Sequence, residues 1–198
     1  MLLLAAGIVL LAALGSAAEQ ETPLLPALVN RTTLHSRYDT ERGISENQIS
    51  ALLRAGFTMP TGGGQRSLDF FVVTNRETMH AMQGGNPYSQ ALNTATCVIV
   101  IAADNGRAYY GELQEMDAGL AAGAVLAEAA ELGLTTCVLS IAPQQERMTS
   151  VRAALQMPGS YTPVLMIAVG YPAEDALSSA SVDGWNEGQV HYNVYQGK

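Results

Sequence analysis

Met59-Pro60-Thr61-Gly62-Gly63-Gly64-Gln65-Arg66-Ser67-Leu68 runs almost directly into Phe70-Phe71-Val72-Val73, a glycine-rich loop followed by a strand-like apolar segment. Three consecutive residues without a Cβ let the backbone take positive φ and lie close against a flat or anionic ligand while presenting N–H groups to it. The stretch reads as a binding loop ahead of a strand. A flexible turn is the alternative that glycine chemistry alone would also give.

Downstream, Thr74-Asn75-Arg76-Glu77 caps a short helix carrying Met79 and Met82, which Gly84-Gly85-Asn86-Pro87 breaks. Thr96 to Ala102 is a continuous apolar run, as expected of a strand covered on both faces. Glu112 to Leu132 reads as the longest helix, stopped by Gly133, and carries no charge between Asp117 and Glu128. That uncharged stretch is either plain core or a face for a second copy of the chain. Thr135 to Leu139 is a further strand leading to Ser140-Ile141-Ala142-Pro143, after which Met148, Val151 and Leu155 recur at helical spacing. Val164 to Ala168 is the fourth strand. Beyond Gly170-Tyr171-Pro172 the chain is polar until Gln189-Val190-His191-Tyr192-Asn193-Val194-Tyr195, which alternates like an edge strand.

Upstream, Ser45-Glu46-Asn47-Gln48 is a capping box opening a helix through Ile49, Leu52, Leu53 and Ala55 that ends at Gly56. Before it, Ala27-Leu28-Val29 begins a short helix that delivers Asn30-Arg31-Thr32-Thr33-Leu34-His35. One guanidinium, two adjacent hydroxyls and an imidazole make a cluster able to hold a phosphate, since arginine gives a forked donor and hydroxyls give single bonds. A solvated surface turn accounts for the same residues. Met1 to Leu14 is apolar without interruption and is followed by Gly15-Ser16-Ala17-Ala18 and acidic residues. Residues 1–18 therefore read as a signal peptide, 19–27 as a linker and 28–198 as one domain. This implies an exported, periplasmic protein with no stable membrane insertion after cleavage; an uncleaved N-terminal anchor is the other reading.

The 198 residues suffice for one sizeable core. A formal charge of −8, with 10 Lys and Arg, leaves no basic surface for a nucleic-acid backbone, and nucleic-acid partners are excluded on that ground. Cys97 and Cys137 sit in apolar runs and read as buried free thiols, or as a pair if their strands are neighbours. His35, His80 and His191 are dispersed, and no nucleophile elbow, zinc motif or phosphate-binding Walker loop is present. Glu112, Glu115 and Asp117 open a helix, where carboxylates favour the macrodipole. No side chain is assigned a catalytic role and no metal site is expected, so any redox chemistry would be carried by a bound cofactor.

With these residues in order, the chain from about Leu28 onward resembles the FMN-dependent nitroreductase family, particularly its short, single-domain bacterial members. Arg31-Thr32-Thr33 is similar to the family's Arg-x-Ser phosphate motif, with His35 where a basic residue is common. Met59 to Leu68 aligns without a gap with its Ala-Pro-Ser-x-x-Asn-x-Gln-Pro-Trp loop, keeping Pro60 and Thr61. Leu132-Gly133-Leu134, Leu139-Ser140-Ile141, Gly170-Tyr171-Pro172-Ala173-Glu174 and Val190-His191-Tyr192-Asn193 fit the later motifs. The chain departs at Gly64 for the loop asparagine, at Arg66-Ser67-Leu68 for Gln-Pro-Trp, at Gln189 for the tail arginine, and at Gly123-Ala124 for a helix Gln-Asn or Glu-Asn pair.

The resemblance implies an α+β, three-layer α/β/α fold with a central mixed sheet and an entwined homodimer. It implies FMN at the subunit interface and ping-pong transfer of electrons from NAD(P)H to a small electron-poor acceptor, a nitroaromatic or a quinone. Carried over residue by residue, Arg31, Thr32, Thr33 and His35 would hold the phosphate, and Pro60, Thr61, Gly62, Gly63 and Gly64 would line the isoalloxazine edge. Arg66 would replace the missing amide as a donor. Leu139, Ser140 and Ile141 would lie near the redox-active nitrogen, and Gln189 and His191 would come from the tail. The departures leave a second reading, an exported flavin-binding dimer without catalysis, and a third, an interaction protein with no ligand.

Overall fold

The computed structural model describes residues 23–180 and 184–195. The signal-peptide reading of residues 1–18 lies outside the described residues. Among the described residues no helix is long and apolar enough to cross a membrane.

The centre is β3, Cys97–Asp104, whose residues from Cys97 to Ala103 are all fully buried. An unbroken apolar strand needs cover on both faces, and it has it. Cys97, Ile99, Ile101 and Ala103 point into one apolar cluster with Leu52 of α2 (Glu46–Thr58) and Ala118, Ala121 and Val125 of α4 (Gln114–Glu131). Val98, Val100 and Ala102 point into another, with Met79 of α3 (Arg76–Ala81) and Met148 and Val151 of α5 (Gln145–Leu155). The period-two alternation of one strand thus builds two cores, and the molecule is helix pair, sheet, helix pair. Each large side chain so buried contributes about 1.5–3 kcal/mol.

Six strands form the sheet in the order β2-β3-β5-β4-β1-β6. β2 (Leu68–Val73), β3, β5 (Tyr161–Gly170) and β4 (Thr135–Ser140) are mutually antiparallel neighbours. β1 (Thr32–Thr33) runs parallel to β4, and β6 (Ser179–Ala180) closes that edge antiparallel to β1, so the sheet is mixed. The four strands expected from apolar runs are all present. The two short ones carry no periodicity to read.

Local chemistry explains the helix ends. The capping box of α2 is formed, with Gln48 N donating to Ser45 Oγ at 3.3 Å and Ser45 N donating to Gln48 Oε1 at 3.1 Å. Asn75 Oδ1 accepts from Thr78 N at 2.8 Å at the start of α3. Gly133 takes φ +67° and stops α4. The short helix before the phosphate cluster is α1, Pro26–Val29.

Two expectations are revised. First, α2 does not end at Gly56 but continues to Thr58. Gly56 is instead a packing glycine, because a Cβ there would come within 2.8 Å of Phe70 Cε1 and 3.3 Å of Val125 Cγ2. Gly56→Ala would gain ~1 kcal/mol of helix propensity but overpack by about 1–3 kcal/mol. A net loss near 1 kcal/mol should lower Tm by about 2–4 °C in a calorimetric scan. An equal or higher Tm would mean that the Phe70 ring swings aside freely.

Second, residues 190–195 form no strand; a 3₁₀ turn at Glu187–Gln189 precedes them, and the edge beside β1 is already taken by β6. Cys97 and Cys137 are free and buried, as expected, and they lie on opposite faces of the sheet, which removes the alternative that they pair with each other.

Candidate functional site

The phosphate-type cluster lies on β1, at the edge of the sheet. Thr33 pairs with Thr136 of β4, and Leu34 N donates to Thr136 O at 2.9 Å. Thr32 turns its hydroxyl inward, donating to Thr135 Oγ1 at 2.9 Å. Half-buried Arg31 makes only a long contact, Nη1 to Thr33 Oγ1 at 3.4 Å, among the described residues. Its other guanidinium donors are uncommitted, as an anion site requires. His35 is exposed and brings Nδ1 within 3.5 Å of Cys137 Sγ. Burial pushes the Cys137 thiol up, so this is a neutral thiol against an imidazole. A cavity of about 190 Å³ opens beside the cluster, lined by Leu34, His35, Ser36, Arg37, Asp175 and Leu177, with Arg37 paired to Asp175. Tyr38 anchors the turn from below through its hydroxyl to Leu34 O at 2.8 Å.

The glycine loop is a 3₁₀ turn at Gly62–Gly64 with Gly63 at φ +58° and Gly64 at φ +69°. Pro60 and Thr61 lead into it, and Arg66 follows at φ +49°. Most of its amides are engaged within the chain. Gly62 N donates to both oxygens of Asp117, at 2.9 and 3.0 Å. Gly64 N donates to Thr61 O, Gln65 N to Gly62 O, and Arg66 N to Thr61 Oγ1 at 3.0 Å. The outward surface of the loop therefore offers its flat glycine backbone rather than a fan of free donors. The Arg66 guanidinium turns back toward Phe57 O, 3.5 Å away, over the end of α2.

The turn after β4 is similarly committed. Ile141 N and Ala142 N both donate to Val164 O at 3.0 Å, and residue 143 is a proline. Leu139 and Ile141 are buried, while Ser140 is exposed with its hydroxyl accepting from Arg147 Nη1 at 2.9 Å. Gln189 and His191 lie on the exposed tail, where His191 stacks edge-on with Tyr195 at 4.8 Å.

Sheet register places these groups relative to one another. Leu68, where the glycine loop enters β2, pairs with Ala103, which pairs with Thr162. Ser140 pairs with Leu165 of β5, so the glycine loop and Ser140 share one end of the sheet. Thr33 pairs with Thr136, and Thr136 with Val169, at the other end. Arg31 to Thr33 and Ser140 are thus bracketed by β4, about 13 Å apart at 3.3 Å per residue. The glycine loop lies four strand spacings from β1 and at the opposite end, about 30 Å corner to corner.

Sequence reasoning misses several residues that shape this region. Asp117 reads as a macrodipole carboxylate and is in fact the buried acceptor for Gly62. Leu113 and Tyr110 press on Gly62 and Gly63, where added Cβ atoms would meet them at 2.5 and 3.1 Å. Arg107 donates to Arg66 O at 3.2 Å and pairs with Asp69 and Asp104. Those carboxylates push the Arg107 guanidinium up, and Arg107 holds Asp104 below its ordinary range. No periodicity or motif marks these positions.

Comparison with known proteins gives a consistent result. Residues 81–171 match the model of the nitroreductase family. A proposed NADH dehydrogenase/NAD(P)H nitroreductase of Archaeoglobus fulgidus is 28% identical over 156 residues, covering 78% of this chain and 90% of that protein. The crystal structure of a proposed NADH oxidase from Clostridium acetobutylicum superposes with a TM-score of 0.78 at 28% identity, covering 85% of this chain and 99% of the other. An FMN-dependent nitroreductase from Clostridium difficile R20291 shares the fold with a TM-score of 0.75 at 24% identity, covering 87% of this chain and 100% of the other.

Proposed function

The chain belongs to the nitroreductase family, and from that premise we propose that it is an FMN-dependent oxidoreductase that takes electrons from NAD(P)H and passes them to a small electron-poor acceptor, a nitroaromatic or a quinone. The FMN-dependent name of the Clostridium difficile protein and the nitroreductase name of the archaeal relative support the reading. The observation that carries it is the separation of the two halves of the candidate site. The Arg31 cluster and the glycine loop stand at opposite corners of one sheet, farther apart than a mononucleotide reaches.

A homodimer resolves this, with Arg31 to Thr33 and Ser140 from one protomer meeting the glycine loop of its partner. The exposed stripe of α4, Met116, Gly119, Leu120 and Gly123, and the exposed tail residues Tyr192, Val194 and Tyr195 supply apolar surface for that association. The residues fit the cofactor by their chemistry. The uncommitted Arg31 guanidinium, the Thr33 hydroxyl and His35 would neutralise and orient its phosphate, and the flat backbone of Gly62 to Gly64 would lie against its ring system. FMN, when bound, supplies the ping-pong electron transfer. The flat glycine backbone would keep water from one side of the ring.

Gly64 and the committed amides favour a second reading, a flavin-binding dimer without turnover. The experiment that separates them is anaerobic addition of NADH or NADPH to the FMN-loaded protein. The visible flavin bands should bleach and return on adding a quinone. Bound flavin that neither nicotinamide bleaches would establish the non-catalytic dimer. We also propose export, on the leader-like residues 1–18.

A further inference from the structure

The glycine loop is held in its conformation from outside, and the geometry points to Asp117 as the residue that positions it, with Arg107 as a second anchor. The inference concerns the loop's shape directly, and rests on the proposed FMN site only for the consequence in binding. Three residues of the loop, Gly63, Gly64 and Arg66, sit in the left-handed region. For Arg66 that backbone is disfavoured and persists only where surrounding contacts over-determine it.

Those contacts come from separate elements. Asp117, 3% exposed in the first turns of α4, accepts the Gly62 amide on both carboxylate oxygens. A hydrogen bond from a neutral amide to an ionised acceptor is the stronger kind, and burial protects it from water. Leu113 closes on Gly62, so the carboxylate and the leucine grip the same residue from the α4 side. At the other end of the loop, Arg107 Nη1 donates to Arg66 O, while Asp104 Oδ2 accepts from Arg107 Nε at 2.9 Å and Asp69 fixes Nη2. Asp69 also accepts from the Tyr161 hydroxyl. Both ends of the loop are thereby tied to the α4 and β3 framework. The loop is preset, and a ligand laid against it need not order it on arrival.

The test uses the full chain as wild type, Asp117→Ala, Asp117→Asn and Arg107→Gln, with two readouts. Amide hydrogen exchange of residues 61–66 is measured without flavin, and the FMN dissociation constant is measured by fluorescence titration. Asp117→Ala is expected to speed exchange at Gly62 to Arg66 while β3 stays protected. It should also raise the FMN dissociation constant by about 10–100-fold, the range spanned by loss of a hydrogen bond to a charged group. Asp117→Asn should recover much of both, because its Oδ1 can accept the same amide. Arg107→Gln should loosen the Arg66 end alone. Should Asp117→Ala lack a cooperative melt, Asp117→Asn and Arg107→Gln carry the comparison, with a smaller loosening at Gly62 in the first and one at Arg66 in the second, each confined to the loop, as the expected result.

Unchanged exchange at residues 61–66 in every variant would overturn the assignment. So would loosening of β3 equal to that of the loop, which would mark Asp117 as a support of the whole fold. A wild type that ignores FMN while the exchange contrast holds would remove the FMN reading and leave the positioning role standing.

Discussion

Ile99→Ala should cost the fold about 2–5 kcal/mol, the range for emptying a large aliphatic site in a packed core. Ile99 is fully buried at the middle of the central strand, between its partners Val72 on β2 and Ile167 on β5. Its side chain belongs to the cluster under α2 and α4, whose other members include Ala118, Ala121, Ala122 and Ala129. Alanines carry no flexible atoms that could move into the vacated space, so the cavity persists and the value should fall in the upper half of the range. Val98→Ala, on the opposite face, loses less volume, and that face holds Met79, Met82, Met148 and Met166, whose unbranched chains can shift to fill a gap. Urea unfolding of both variants checks the contrast. A cost below about 1 kcal/mol for Ile99→Ala would mean that α2 and α4 collapse onto the sheet, contrary to the packing described.

Arg31→Ala should weaken FMN binding by about 10–100-fold, corresponding to about 1.5–3 kcal/mol for a charged hydrogen bond. Among the described residues Arg31 makes one contact, to Thr33 Oγ1 at 3.4 Å, which leaves nearly all of its donors for a ligand. Because the guanidinium holds no architectural bond, the melting temperature of the flavin-free protein should be unchanged. Arg31→Lys should recover only part of the affinity, since an ammonium cannot supply the planar fork. The contrast with riboflavin, which has no phosphate, isolates the cause. Wild type and Arg31→Ala should bind riboflavin alike. Equal loss for both ligands would show that Arg31 does not face the phosphate.

The architecture was legible where side-chain periodicity and burial coincide. Cys97 to Asp104 is apolar at every core-facing position and can only be a central strand, and the small residues of α4 could only be a helix packed along much of its length. Ser45 and Gln48 announce their helix because the capping box is local chemistry between residues three apart. Legibility failed where a partner distant in sequence decides. Gly56 reads as a stop, and only Phe70 and Val125 reveal it as a contact glycine. Asp117 reads as a dipole carboxylate, because nothing local discloses that Gly62 lies above it. The tail alternates like a strand, yet in one protomer β6 already occupies the edge beside β1. The candidate site was legible as motifs in order, and its division between opposite sheet corners came only from register.

That division is the central claim, and sedimentation velocity of the purified chain with added FMN, followed at the visible flavin absorbance, tests it most directly. Two equivalent sites shared across a two-fold interface require the flavin to travel with a species near twice the 20.9 kDa chain, at one flavin per protomer. A protein boundary at the mass of a single chain, whether it carries the flavin or leaves it unsedimented, would contradict the account.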